Sequence, residues 1–283
     1  IDVMKGIAAA RFHILERQLT LFEPYFKATA AFMTMPEMRH VRHPFAQVCA
    51  PAVGVLMITS NEGFLGGLNN QVVTQGLREG GPEGVYLLVG ERGINYIRES
   101  RRAFTRFPGV LDHDRLSLAV AVRDKIVEHV LSGQCGRVVV VYPKPISFSV
   151  QRVTVEPLLP CGEWESTTPR TAGAPLVWES SPEDVVEYVV AEWISYRLEQ
   201  LFALSRLAEL AARAIHLEGS FQELLRIGKK LRVEYFRARH EVIDRSMREI
   251  FAAQLLARHT KQPVAEAGEA SLVELDEEER EHA

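Results

Sequence analysis

The chain has 283 residues, enough for one large domain or two modest ones, and its 47% hydrophobic and 25% charged residues match ordinary soluble protein. Its net charge of −4 hides an asymmetry: Val264–Ala283 holds eight acidic residues and one Arg, about −7, leaving about +3 for the residues before it. No uninterrupted apolar run approaches the roughly 18–20 residues of a membrane span, no secretory leader is visible, and Cys49, Cys135 and Cys161 are too scattered for a disulfide framework or a metal site.

In chain order, Ile1 to about Met35 reads as helix. Apolar or small residues at Ile1, Met4, Ala8, Phe12, Leu15, Leu19, Phe22 and Phe26 form a heptad ladder with one slip, and Pro24 marks a bend or weak point within it. Pro36 and Pro44 bracket a polar linker. The middle then changes character. Val53–Thr59, Val85–Val89 and Arg137–Tyr142 are apolar runs of the kind found in strands buried on both faces, and Ala103–Phe107 is a further candidate. Helical patterns over Leu68–Arg78, Gly93–Ser100 and from Asp114 to Leu131 alternate with them, which predicts a parallel α/β sheet. Ser147–Leu159 alternates and suits an edge strand, and Pro160–Ala174 is loop. Ser181, Pro182 and Asp184 open a helix.

From Pro182 to Pro263 there are 80 residues without proline, interrupted only by Gly219 and Gly228. One helix of that length would span about 120 Å at ~1.5 Å per residue. Its first half, to Leu217, has a broad apolar face including Val186, Val190, Trp193, Leu201, Leu204 and Leu207, suited to packing on the α/β domain. The second half carries Phe221, Leu224, Gly228, Leu231, Tyr235, Ala238 and Val242 at steps of 3 and 4, a narrow coiled-coil seam. The seam shifts by one at Ile243, Met247 and Ile250. Phe221–Lys261 has ten Lys or Arg against five Asp or Glu. The predicted fold is therefore α/β: an antiparallel coiled coil of N- and C-terminal helices plus a central Rossmann-like parallel-sheet domain. The expected parts are residues 1–35 (coiled-coil helix), 36–175 (α/β domain), 176–262 (long helix) and 263–283 (an acidic tail of disordered composition).

The loop Ser60–Asn69 lies where a dinucleotide-binding turn would lie, but Gly63, Gly66 and Gly67 do not space as GxGxxG and no phosphate-binding lysine follows. Glycines at such turns more often serve tight geometry. The strand-to-helix turn Gly90–Gly93 is similar. The nine histidines form no HExxH or Cys/His cluster, and no GxSxG elbow or carboxylate pair is present, so no catalytic residue, metal or cofactor is expected. A nucleotide-binding α/β enzyme stays an alternative on the glycine loop. A nucleic-acid-binding coiled coil stays one on the basic helix, although Glu223, Glu234, Glu241 and Asp244 dilute its charge.

The ordered motifs together resemble the gamma subunit of rotary F-type ATP synthases. SNEGFLGGLNNQVV (Ser60–Val73) is similar to the family's S-x-x-G-L-C-G-G-L-N, with Leu65 in place of Cys. Val3–Arg11 (VMKGIAAAR), Glu23-Pro24-Tyr25 and Val89–Gly93 follow family segments in order. So do Val177-Trp178-Glu179 before Pro182, Glu209–Arg213, Tyr235–Arg239 and Arg248-Glu249-Ile250. The resemblance implies a non-catalytic rotor shaft that turns inside a ring of alpha and beta subunits. Its foot would meet epsilon and the membrane c-ring, coupling ion flow to ATP synthesis or hydrolysis, peripheral to the cytoplasmic face of a bacterial inner membrane. It implies contact with the alpha/beta ring at Met4, Arg213 and Arg239, and at His240 and Asp244, which replace the family's Gln and Thr. It implies contact with the c-ring and epsilon at Trp178 and Glu179, and a structural loop of Gly63, Gly66, Gly67, Leu68 and Asn69. Two departures stand out: Ala214–Phe221 replaces a more regular stretch, and Phe251–Ala283 extends past the usual family end. The pattern reads as a divergent bacterial member, of the kind encoded by an alternative ATPase operon.

Overall fold

In the computed structural model the described residues are 10, 14, 22–33, 35, 41–160 and 179–259. The elements in order are α1 (Glu23–Met33), β1 (Val53–Ile58), α2 (Leu68–Gly80), β2 (Val85–Val89) and α3 (Ile94–Glu99), then β3 (Phe104–Phe107), α4 (Arg115–Leu131), β4 (Arg137–Pro145), β5 (Gln151–Leu159) and α5 (Pro182–His259). The chain divides into two compact units, Ile1–Ser220 and Phe221–Ala283.

In the first unit the strands form one five-stranded sheet in the order β3-β2-β1-β4-β5. β1 pairs in parallel with both β2 and β4, and β2 with β3, so each connection must cross over through a helix. β5 alone is antiparallel and closes the β4 edge through a short turn in which the Ser147 carbonyl accepts from the Val150 amide. The apolar runs are continuous because both sheet faces are covered. Leu56, Ile58, Leu87, Val140 and Tyr142 face one layer, shared with Val122 and Ile126 of α4 and with Val190, Trp193, Leu198 and Phe202 of α5. The alternate residues Val55, Met57, Leu88, Val139 and Val141 face the other, shared with Val72 and Val73 of α2 and Ile94 and Ile97 of α3. This alternation is the period-2 pleat of a strand.

α5 runs 78 residues. The Ser181 hydroxyl accepts from the Asp184 amide at 3.1 Å, a realised N-cap, and Glu183 and Asp184 favour the positive end of the helix dipole. The broad face foreseen over Val186–Leu207 is the buried one, with Val186, Val190, Leu201 and Leu207 almost wholly covered and Leu204 packed against the core. In the second unit residues 222–258 of α5 are all exposed, including Leu224, Leu231, Tyr235 and Val242 of the seam. Most of the N-terminal ladder and all of residues 263–283 lie outside the described residues. No helix among the described residues is long and apolar enough to cross a membrane.

Candidate functional site

The strand order reverses direction between β1 and β4, and in open α/β sheets ligands bind at the carboxyl ends of the strands beside such a switch point. The loop leaving β1 is therefore the place to look for a nucleotide. It is built rigidly. The Ser60 amide donates to Asn69 Oδ1 at 3.1 Å, and Asn69 Nδ2 donates to the Ser60 hydroxyl at 2.9 Å. The Thr59 hydroxyl accepts from the Gly93 amide, and the Arg92 amide reaches the Ser60 carbonyl at 2.9 Å, which stitches the turn after β2 to the turn after β1. Gly90 has a positive φ of 96°, and a Cβ there would stand 2.2 Å from the Thr59 carbonyl oxygen. The glycines at these two turns therefore serve close backbone approach, the geometric role the sequence favours.

What covers this loop is the long helix. Leu65 and Leu68 are buried in a small apolar cluster with Ala212. Arg213 donates from Nε to the Gly63 carbonyl at 3.4 Å and pairs with Glu62 at 3.1 Å and with Glu209. His216 sits over Gly66, whose φ is +60° and whose added Cβ would lie 2.3 Å from the imidazole Nε2. The phosphate position of a Rossmann turn is filled by protein, so the geometry argues against a nucleotide on this loop. Phe64 projects outward from it, 70% exposed at a φ of 64°, a conformation uncommon for a large side chain.

Further polar ties fix the first part of α5. Arg123 of α4 donates to Glu192 at 2.9 Å and to the Ser195 hydroxyl at 3.0 Å. Arg206 pairs with Glu209 at 2.7 Å and lies 3.9 Å from Asp112. Burial would lower the Arg206 guanidinium, but Glu209 and Asp112 outweigh it and hold it above its usual range. The densest tie is at Glu156 of β5, whose carboxylate accepts from the Tyr142 hydroxyl at 2.6 Å, Lys144 at 3.1 Å and Arg197 of α5 at 2.9 Å. Burial opposes the Glu156 charge, yet the Tyr142, Arg197 and Lys144 contacts together hold the carboxyl below its usual range. Burial, then Glu156, pushes the Tyr142 phenol far up. Arg197 also lies over the Phe26 ring at 5.8 Å, joining α1 to the same cluster. The sequence reading missed this hub; its one visible sign was a Glu inside a strand whose neighbours are apolar.

The structure separates the other sequence-predicted contacts. Arg239, His240 and Asp244 stand exposed on the second part of α5, and Glu179 is exposed just before its cap. Arg213, by contrast, is occupied inside the first unit. Met4 and Trp178 lie outside the described residues. Among those residues no group of three or more His, Cys, Asp or Glu is gathered for a metal.

A family model described as ATP synthase matches residues 1–254. Among curated relatives, the ATP synthase gamma chain of Chlorobaculum tepidum is 27% identical over 210 residues, 70% of this chain and 71% of that one. That of Delftia acidovorans is 23% identical over 263 residues, 88% and 90% of the two chains. Among solved structures, a chain of the Tetrahymena thermophila mitochondrial ATP synthase central stalk and c-ring has a TM-score of 0.58 at 15% identity, covering 77% of this chain and 98% of that one. A chain from the Euglena gracilis mitochondrial ATP synthase has a TM-score of 0.58 at 16% identity, covering 92% and 94%. The shared fold, the filled crevice and the match along nearly the whole chain converge: this chain belongs to the ATP synthase gamma-chain family.

Proposed function

We propose that this chain is the central-stalk rotor subunit of a rotary ATP synthase and couples ion flow through the membrane sector to ATP synthesis or hydrolysis in an alpha/beta ring. The observation that carries this reading is the division of α5. Its first part is built into the α/β domain by apolar packing and ion pairs, while its residues 222–258 present exposed apolar and basic side chains. Such a division suits an element whose first part is held and whose second part works on partners.

The chain makes no bond to nucleotide; those belong to the ring. Its part is to present each beta subunit with a different surface in turn, so that contacts differing between conformations bias the catalytic sites. Arg239, His240, Asp244 and Met4 are the ring-facing groups. Arg213 acts through the Gly63–Gly67 loop, because its guanidinium already holds Glu62 and the Gly63 carbonyl. Trp178 and Glu179 face epsilon and the c-ring. The subunit is held at the cytoplasmic face of a bacterial inner membrane through the complex, and residues 36–175 and 176–262 serve as its foot and shaft. Co-expression with the alpha and beta subunits of the same source tests this directly. The expected product is a stable complex holding one copy of this chain per ring, with ATP hydrolysis. Purified rings that form and turn over without it would sink the reading.

A further inference from the structure

On α5, Arg226, Arg237 and Arg248 recur every 11 residues. Eleven residues make just over three whole turns, so these side chains drift only about 20° per step and form a nearly straight stripe. Lys230 falls on the same stripe, and so does Asp244, five turns from Arg226, which leaves the stripe net basic with four cations against one carboxylate. Leu224, Leu225, Leu231, Tyr235, Val242 and Ile243 fill an arc centred on the opposite side of the helix, so a helix packed on that seam leaves the stripe open. All four basic residues are exposed. Arg226 and Lys230 keep only local partners, Glu223 at 2.7 Å and Glu234 at 3.9 Å, with basic side chains 76% and 78% exposed. Surface pairs of that kind are individually weak and exchange readily. Arg248 donates from Nε to the Asp244 backbone carbonyl, and Arg237 has no acidic partner among the described residues.

We propose that the stripe is the docking surface for this chain's own acidic tail. Between Glu274 and Glu281, six of eight residues are carboxylates, the opposite charge at high density. The lengths fit. Arg226 lies 33 residues back from His259, about 50 Å along the helix at ~1.5 Å per residue. The 17 residues from His259 to Asp276 span up to about 56–61 Å when extended. Pro263 and Gly268, residue types suited to chain reversal, fall in the connecting stretch. Tethering gives the tail an effective concentration on the order of millimolar, so weak contacts suffice. The family match covers residues 1–254 and so does not include the tail. The inference rests on charge, periodicity and reach and is independent of the rotor reading.

Zero-length carboxyl-to-amine cross-linking of the full chain, read by mass spectrometry, tests it. Tail carboxylates are expected to join Lys230, within one molecule, and the yield to fall in high salt as screening shortens the range of attraction. Replacing Arg226, Arg237 and Arg248 with Gln should lower the Lys230 yield roughly tenfold, the sum of three modest exposed contacts. All three side chains are exposed, so the fold is expected to persist, with an unchanged circular dichroism spectrum as the control. Tail links confined to neighbouring Lys261, links to Lys125 or Lys144, links only between two copies, or a yield indifferent to the triple change would each overturn the proposal.

Discussion

Two glycines with positive φ separate conformational need from steric room. At Gly90 a Cβ would meet the Thr59 backbone carbonyl, which cannot move without breaking the register of β1. At Gly66 it would meet the His216 imidazole, the end of a side chain that can turn aside. Gly90→Ala is therefore expected to cost about 3 kcal/mol or more, and Gly66→Ala about 1 kcal/mol, chiefly for the left-handed backbone. Urea unfolding of both variants checks this; equal losses would contradict the assignment. The glycine spacing declared a tight loop from sequence alone. His216 and Arg213 as its covering residues were not legible, because they lie about 150 positions away and no local pattern encodes that pairing.

At the scale of elements, the joint between β5 and α5 rests on Glu156. Its carboxylate satisfies three donors from β4 and α5, so Glu156→Gln leaves Arg197 and Lys144 without their shared anion. Arg197→Lys loses the planar fork that reaches Glu156 while lying over Phe26. Each is expected to cost about 1–3 kcal/mol, the worth of a hydrogen bond to a charged group. The pH dependence has a definite sign. The native carboxyl titrates below the unfolded one, so its stabilisation is complete above the ordinary Glu value of about 4.3 and drains away as pH falls through the lower native value. The stability gap between wild type and Glu156→Gln should accordingly narrow below about pH 4. A gap that widened on acidification would refute the role of the ionised carboxylate. Strands β1, β2 and β4 were plain in the sequence because a run covered on both faces has no polar interruptions. β5 begins at Gln151 rather than Ser147, because Ser147–Val150 are used in the turn.

For the molecule as a whole, covered cleavable side chains occur in the first unit, beside exposed ones such as Arg78 and Arg102, whereas the described ones of the second unit are all exposed. Arg115, Arg123, Arg197, Arg206 and Arg213 are largely covered and tied within the first unit, whereas Arg226 through Arg258 stand on an exposed helix. Brief trypsin treatment of the free chain should cut after Arg226 and the basic residues beyond it before it cuts after Arg115, Arg123, Arg197, Arg206 or Arg213. Assembly into an alpha/beta ring should slow those early cuts at least tenfold, because a covered segment must first open before it is cleaved. Cuts appearing first after any of those five covered arginines would reverse the picture. The two-part helix was visible in the sequence as a broad face followed by a narrow seam. Which basic side chains are tied within the fold and which stand exposed was not, since spacing alone treats Arg213 and Arg239 alike.

The helix lying across the β1 loop has a consequence for inhibitor chemistry. A small molecule shaped for a Rossmann turn would find its seat taken by Ala212, Arg213 and His216. It could bind only as a wedge that levers this stretch of helix away from Leu65 and Leu68. Its affinity would carry the cost of that eviction. Once bound, it would uncouple the drive by loosening the seating of the shaft while leaving every catalytic pocket untouched.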